Sequence, residues 1–167
     1  MQYIIMKQVV KKVILFVALC VIATAYCYAQ EPSKVEIRVG EIVKQYKNVK
    51  GVDCTVVTKG SGLGLLKMVL SKQMGKEFLK GVTGITIIDY SEASTEVCQA
   101  MHKELDTLLP LLTELNLNEG KELTENTYAR SFILPLDDGT VSDFVLAFES
   151  ENSKTILYMC GKINFNQ

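Results

Sequence analysis

A basic stretch followed by a short apolar run sets the first limit on what this chain can fold into. Lys7, Lys11 and Lys12 precede Val13–Ala23, which is apolar throughout, and small and polar residues then lead to Ala29. A positive n-region, an apolar h-region and a small terminal residue are the parts of a secretory signal peptide. Cleavage after Ala29 fits best, with Ala29 and Cys27 at the last and third-last positions. The run is shorter than the roughly 20 apolar residues that span a bilayer, so an uncleaved anchor is the rival reading. Lipidation calls for a small residue before the modified cysteine, whereas Cys20 follows Leu19 and Cys27 follows Tyr26. The expected organisation is a signal peptide over 1–29, a short polar lead-in over 30–34 and a single α+β domain over 35–167. The expected location is the periplasm or cell envelope.

The piece left for folding, Gln30–Gln167, is long enough for one ordinary core and too short for two typical domains. Of the chain's 18 basic and 19 acidic residues it keeps 15 and 19, a net charge of −4. Its lysines and arginines form no stripe, which argues against a nucleic-acid partner. Three of the five cysteines remain: Cys54, Cys98 and Cys160. An exported protein can oxidise them, but three thiols allow one internal bridge at most, and spacing does not choose among three pairings. The alternative is that all three are small buried apolar residues.

The pattern along the chain predicts alternating elements. Val35, Val39, Ile42, Val43 and Tyr46 make one helix face. Residues 52–58 are rich in β-branched side chains and read as a strand, and 59–62 as a turn. Leu66, Val69, Leu70, Met74 and Phe78 predict a helix over 63–79. Residues 85–90 read as a buried strand. Ser91 is a candidate cap for a helix running to about 109, with Val97, Met101, Leu105 and Leu108 inward. Pro110 ends it, an extra turn is expected over 111–115, and a loop over 116–120. Asp137-Asp138-Gly139-Thr140 between apolar runs is a hairpin signal, joining strands over 129–136 and 144–149. A last strand, Thr155–Ile163, is a candidate edge. The order α-β-α-β-α-β-β-β predicts an α+β fold: an antiparallel or mixed sheet of about five strands, one right-handed βαβ crossover, and helices packed on one face.

Several of these segments carry a likeness. A helix ends Tyr46-Lys47 before the Gly51-Val52 strand, a Leu/Met-rich helix spans Leu63–Met74, and Gly84-Ile85-Thr86-Ile87 opens a strand. The Asp-Gly hairpin and a closing Met159-Cys160-Gly161 complete the set. In these the chain resembles a family of small exported domains of unknown function common in Bacteroidetes, over about Val39 to Ile163. The resemblance implies an envelope location and an α+β fold. It supplies no catalytic residues. Cys54, Cys98 and the loop at 59–64 are not among the features that carry the resemblance.

Candidate chemistry is sparse. Gly60-Ser61-Gly62-Leu63-Gly64 follows a strand and opens a helix, as a phosphate-binding loop does, and Asp89 ends the next strand where a ribose-binding carboxylate would stand. Leu65 occupies the place of the third glycine, and no Gly-Lys-Ser/Thr follows, so a flexible turn explains the loop better. Cys98 and His102 lie one helical turn apart, the spacing of two metal ligands. Further ligands would have to be Cys54, Cys160 or a carboxylate such as Asp106, because His102 is the chain's one histidine. No Gly-x-Ser-x-Gly nucleophile elbow accompanies it. Asp137, Asp138 and Asp143 fall near one hairpin tip and Glu149 and Glu151 near the next, where solvated turns, not a fixed carboxylate pair, are expected. Tyr90, Tyr128 and Tyr158 are candidates for a binding surface, without any tryptophan to support them.

The sequence therefore favours a non-catalytic envelope protein that binds a partner protein or small ligand, with no cofactor. A thiol- or metal-dependent protein using Cys98 and His102, and a carboxylate hydrolase, are the alternatives. Membrane contact is expected only through the signal segment, if it is uncleaved.

Overall fold

A computed structural model describes residues 31–58, 60–115 and 127–164. The expected signal segment with its expected cleavage point, Lys59 and the loop expected over 116–120 lie outside them. Ser33 starts the fold: its hydroxyl accepts the Glu36 amide at 2.9 Å and caps α1, Lys34–Tyr46. Val35, Val39, Ile42 and Tyr46 form the buried stripe of α1, as the spacing predicts. Strand β1 is Asp53–Val57. The single helix expected over 63–79 is two, because Gly75 at φ 85° interrupts the helical backbone between α2, Ser61–Met74, and α3, Lys76–Lys80. Strand β2 is Val82–Asp89 and helix α4 is Thr95–Leu108. Ser94, not Ser91, caps α4; the Ser91 hydroxyl instead accepts the Lys154 amide at 2.9 Å. A 3-10 turn, Leu109–Leu111, takes up Pro110. The strands β3, Thr113–Leu115, β4, Tyr128–Pro135, β5, Val141–Glu149, and β6, Lys154–Ile163, follow.

Among the described residues the fold is α+β: a six-stranded antiparallel sheet in the order β1-β2-β6-β5-β4-β3, with four α-helices. Three expectations change. The sixth strand is β3, three residues long, where a helical turn was expected. β1 and β2 pair antiparallel, Asp53 opposite Asp89 and Val57 opposite Ile85, so there is no parallel crossover. And β6 is not an edge: it pairs with β2 on one side and β5 on the other.

Helices also cover both faces, not one. Ile88, Ile156, Tyr158, Val145, Ala147 and Phe132 pack with α1 and α4. Ile85, Met159 and Phe144 point the other way and pack with Phe78 and Leu79 of α3 and with Leu63, Leu66, Leu70 and Met74 of α2. The central strands are apolar at successive positions, and a strand apolar on both sides needs cover on both sides. Arg38 joins α1 to α4, with its guanidinium on Glu104 at 2.5 Å and on Glu41 at 2.8 Å. At the far end of the β2–β6 ladder the two backbones touch. A Cβ on Gly81 would stand 1.6 Å from the Lys162 carbonyl oxygen, and the Lys162 amide donates to the Gly81 carbonyl at 3.0 Å. Residues from Ser33 onward form one compact unit.

Candidate functional site

Cys98 and His102 share a face of α4 but serve different surroundings. Cys98 sits in the core, its Sγ 3.8 Å from the Ala93 carbonyl oxygen and 3.3 Å from the Lys154 ammonium. His102 lies at the rim, half of its side chain exposed, with Nε2 against Oε1 of Glu149. The same Oε1 accepts the Tyr90 hydroxyl at 2.6 Å, and the Tyr90 ring meets the imidazole edge-on, centroids 6.4 Å apart. Burial first, then the neighbouring Glu149 carboxylate, pushes the Tyr90 phenol far above its ordinary range. This trio fixes one imidazole nitrogen. Among the described residues, no hydroxyl or thiol hydrogen-bonds to His102, so it has a base and an orienting acid without a nucleophile.

The other candidate ligands are elsewhere. Cys54 is on β1 and Cys160 on β6, and all three cysteines are free thiols. Burial, with Asp53 beside Cys54 and with Glu36 and Asp143 near Cys160, raises both thiols above their ordinary value. Among the described residues no three His, Cys, Asp or Glu side chains are grouped to hold a metal ion. The glycine-rich loop begins α2 after the Val57 end of β1, whereas Asp89 stands at the Asp53 end, where its Oδ1 accepts the Ser91 amide at 2.9 Å. A nucleotide cannot bridge two ends of one ladder in the way a dinucleotide fold requires. The three tyrosines do not share a surface: Tyr90 and Tyr158 are buried, and Tyr128 is exposed.

Asp143 was expected at a solvated tip and is fully buried instead. Its Oδ1 accepts Ser33 Oγ and Tyr158 OH, each at 2.7 Å, and its Oδ2 accepts Ser142 Oγ at 2.6 Å. The alternation on β5 that turns Asp143, Val145 and Ala147 to the same face was legible; it went unused because an Asp so close to a hairpin reads as a turn residue. The cluster ties the cap of α1 to β5 and β6, and every acceptor in it is engaged. At the tip itself, Lys162 at 2.6 Å and then Thr140 hold the Asp138 carboxyl well below its usual range.

Among the described residues, the outer side of α2 carries a set of exposed apolar side chains. Leu65, Met68 and Val69 are 61%, 63% and 62% exposed, although the opposite side of the helix packs on the sheet. Leu65, Met68, Val69 and Lys72, at i, i+3, i+4 and i+7, fall on one outward stripe. Sequence reasoning placed Val69 inward and passed over Leu65 and Met68. The signal was an excess: apolar residues at 63, 65, 66, 68, 69, 70 and 74 cannot all fit one stripe of a helix.

Comparison with curated proteins and with solved structures finds no match for the chain. A family of domains of unknown function does match, over residues 45–167, which takes in every strand among the described residues, α2 to α4 and the last two residues of α1. The chain thus belongs to the DUF4252 family, described as a domain of unknown function.

Proposed function

We propose that this chain is an exported, non-catalytic cell-envelope domain that works by docking to another surface through the outward stripe of α2. The observation that carries the docking is the exposure of Leu65, Met68 and Val69 together on a helix whose other side is already packed. Scattered exposed apolar residues need no explanation, but a contiguous stripe does. The polar clusters support a non-catalytic role, since His102, Glu149 and Asp143 are each engaged in holding elements together. The basic and apolar N-terminal pattern supports export.

The test compares the native chain with Leu65→Ser/Met68→Ser/Val69→Ser in the cell that makes it. Mass spectrometry of the N-terminus should give Gln30, and the native protein should stay with the envelope after soluble periplasmic contents are released. The triple variant should melt at about the same temperature and be released. An intact N-terminus would overturn export with cleavage; equal retention of both forms would overturn docking through α2.

A further inference from the structure

We propose that the surface met by α2 is an anionic phospholipid bilayer, with the helix lying in the headgroup plane. This rests on docking through α2 and names the partner's chemistry. The first ground is the two-sided character of the helix. Its inner stripe is used by the sheet, and its outer stripe of Leu65, Met68 and Val69 ends in Lys72. Apolar residues flanked by lysine are the pattern of a helix that buries one side in the acyl boundary and keeps cations at the headgroups.

The second ground is charge. Between Asp53 and Glu77 the chain carries Lys59, Lys67, Lys72 and Lys76 and not one acid, whereas Gln30–Gln167 as a whole is net −4. A run of positive charge without acids thus lies on this helix and its flanks. Lys67 folds back toward the Lys80 carbonyl at 3.5 Å, and Lys72 and Lys76 are exposed. A second copy of the chain docked through the same stripe would bring a second set of lysines and no acid between Asp53 and Glu77 to meet them, so charge favours an anionic partner over self-association. The third ground is length. The 14 residues of α2 reach about 21 Å, short of the roughly 30 Å of a hydrocarbon core. No helix among the described residues is long and apolar enough to cross a membrane. Contact through α2 is therefore peripheral, and it adds a route to the membrane besides the N-terminal segment.

The chain has no tryptophan, so Met68→Trp makes a unique fluorescent reporter on the stripe. The protein used begins at Gln30, which keeps the whole compact unit from Ser33 onward and leaves out the apolar run. With phosphatidylcholine vesicles containing phosphatidylglycerol, emission should shift to the blue and the protein should sediment with the lipid. Binding to pure phosphatidylcholine should be weaker by about tenfold or more. Lys72→Glu/Lys76→Glu should lose about 25-fold or more of the binding to the anionic vesicles, at about fivefold per lysine before reversal is counted. Leu65→Ser/Val69→Ser in the reporter chain should lower binding to all vesicles. Equal binding to both vesicle types overturns the anionic assignment. A blue shift that grows with protein concentration, without lipid, overturns it in favour of a second copy. A shift with a soluble envelope-protein fraction but not with vesicles overturns the lipid and leaves the docking reading standing; no shift with any of them overturns both.

Discussion

Removing one hydroxyl at Tyr158 tests whether the buried Asp143 cluster holds α1 to the sheet. Tyr158 and Asp143 are 3% and 0% exposed, so water does not replace a lost donor. In Tyr158→Phe the carboxyl keeps Ser33 on Oδ1 and Ser142 on Oδ2 and loses the 2.7 Å bond from the phenol. A hydrogen bond to a charged group contributes about 1.5–3 kcal/mol, so about 2 kcal/mol is expected here. The unit from Ser33 to Gln167 has an unfolding entropy of about 0.28 kcal/mol/K at about 2.1 cal/mol/K per residue. The melting temperature should therefore fall by about 7 °C. Asp143→Ala strips the acceptor from three hydroxyls at once and should cost about 3–5 kcal/mol, or about 11–18 °C. Asp143→Asn keeps the Oδ1 acceptor and turns an amide toward Ser142, whose oxygen can accept, so it should stay within about 1 kcal/mol of the native protein. Calorimetry of the four proteins at neutral pH reads all of this. A Tyr158→Phe protein that melts within a degree or two of the native one would refute the reasoning, because the cluster would then be open to water.

Three further outcomes follow from the same physics. The Tyr90 and Tyr158 phenols are raised by burial and by Glu149 and Asp143; below the unfolded value near 10 their full contribution to stability is present, and it drains away as pH rises above that value. Tyrosinate absorbance should hence appear together with loss of circular dichroism in an alkaline titration, and tyrosinate at full native structure from these residues would contradict it. Cys54 and Cys160, both raised chiefly by burial, should alkylate more slowly than a free thiol at pH 8, as peptide mass spectrometry would read, and should match it only after unfolding. Gly81→Ala drives a Cβ into the Lys162 carbonyl and should lower stability by about 3 kcal/mol, or about 11 °C; a melt like that of the native protein would mean the ladder shifts freely there.

Local elements were the legible part of the fold, and pairing directions were not. The stripe of α1, the inward residues of α4 and the Asp-Gly hairpin follow from side-chain period and turn chemistry, which act within a few residues. The direction of β2 against β1 depends on how α2 and α3 return the chain, and Gly75 divides those two helices inside an otherwise continuous helical pattern. The cover on both faces was written in the consecutive apolar residues Ile87, Ile88 and Ile156, Leu157, Tyr158, Met159. Strand β3 has three residues, too few for any period to show.

The candidate site was less legible for a different reason. Cys98 and His102 are one turn apart, yet one faces the core and Lys154 while the other faces Glu149 at the rim. Spacing gives the helix face and leaves the partners to tertiary packing. Asp143 was misplaced because sequence marks where a turn begins more clearly than where β5 goes under α1. The stripe on α2 was missed because apolar residues in a helix are read as core until there are too many for one side.

Docking through α2 is tested most directly by the accessibility of position 68 in the cell. In Met68→Cys, maleimide labelling is read on the tryptic peptide from 68 to Lys72, which holds no other cysteine, and Glu41→Cys on exposed α1 is the control. Position 68 should label fast in the purified protein and slowly in the intact envelope, while position 41 labels alike in both. Equal labelling of position 68 in the two settings would contradict the account.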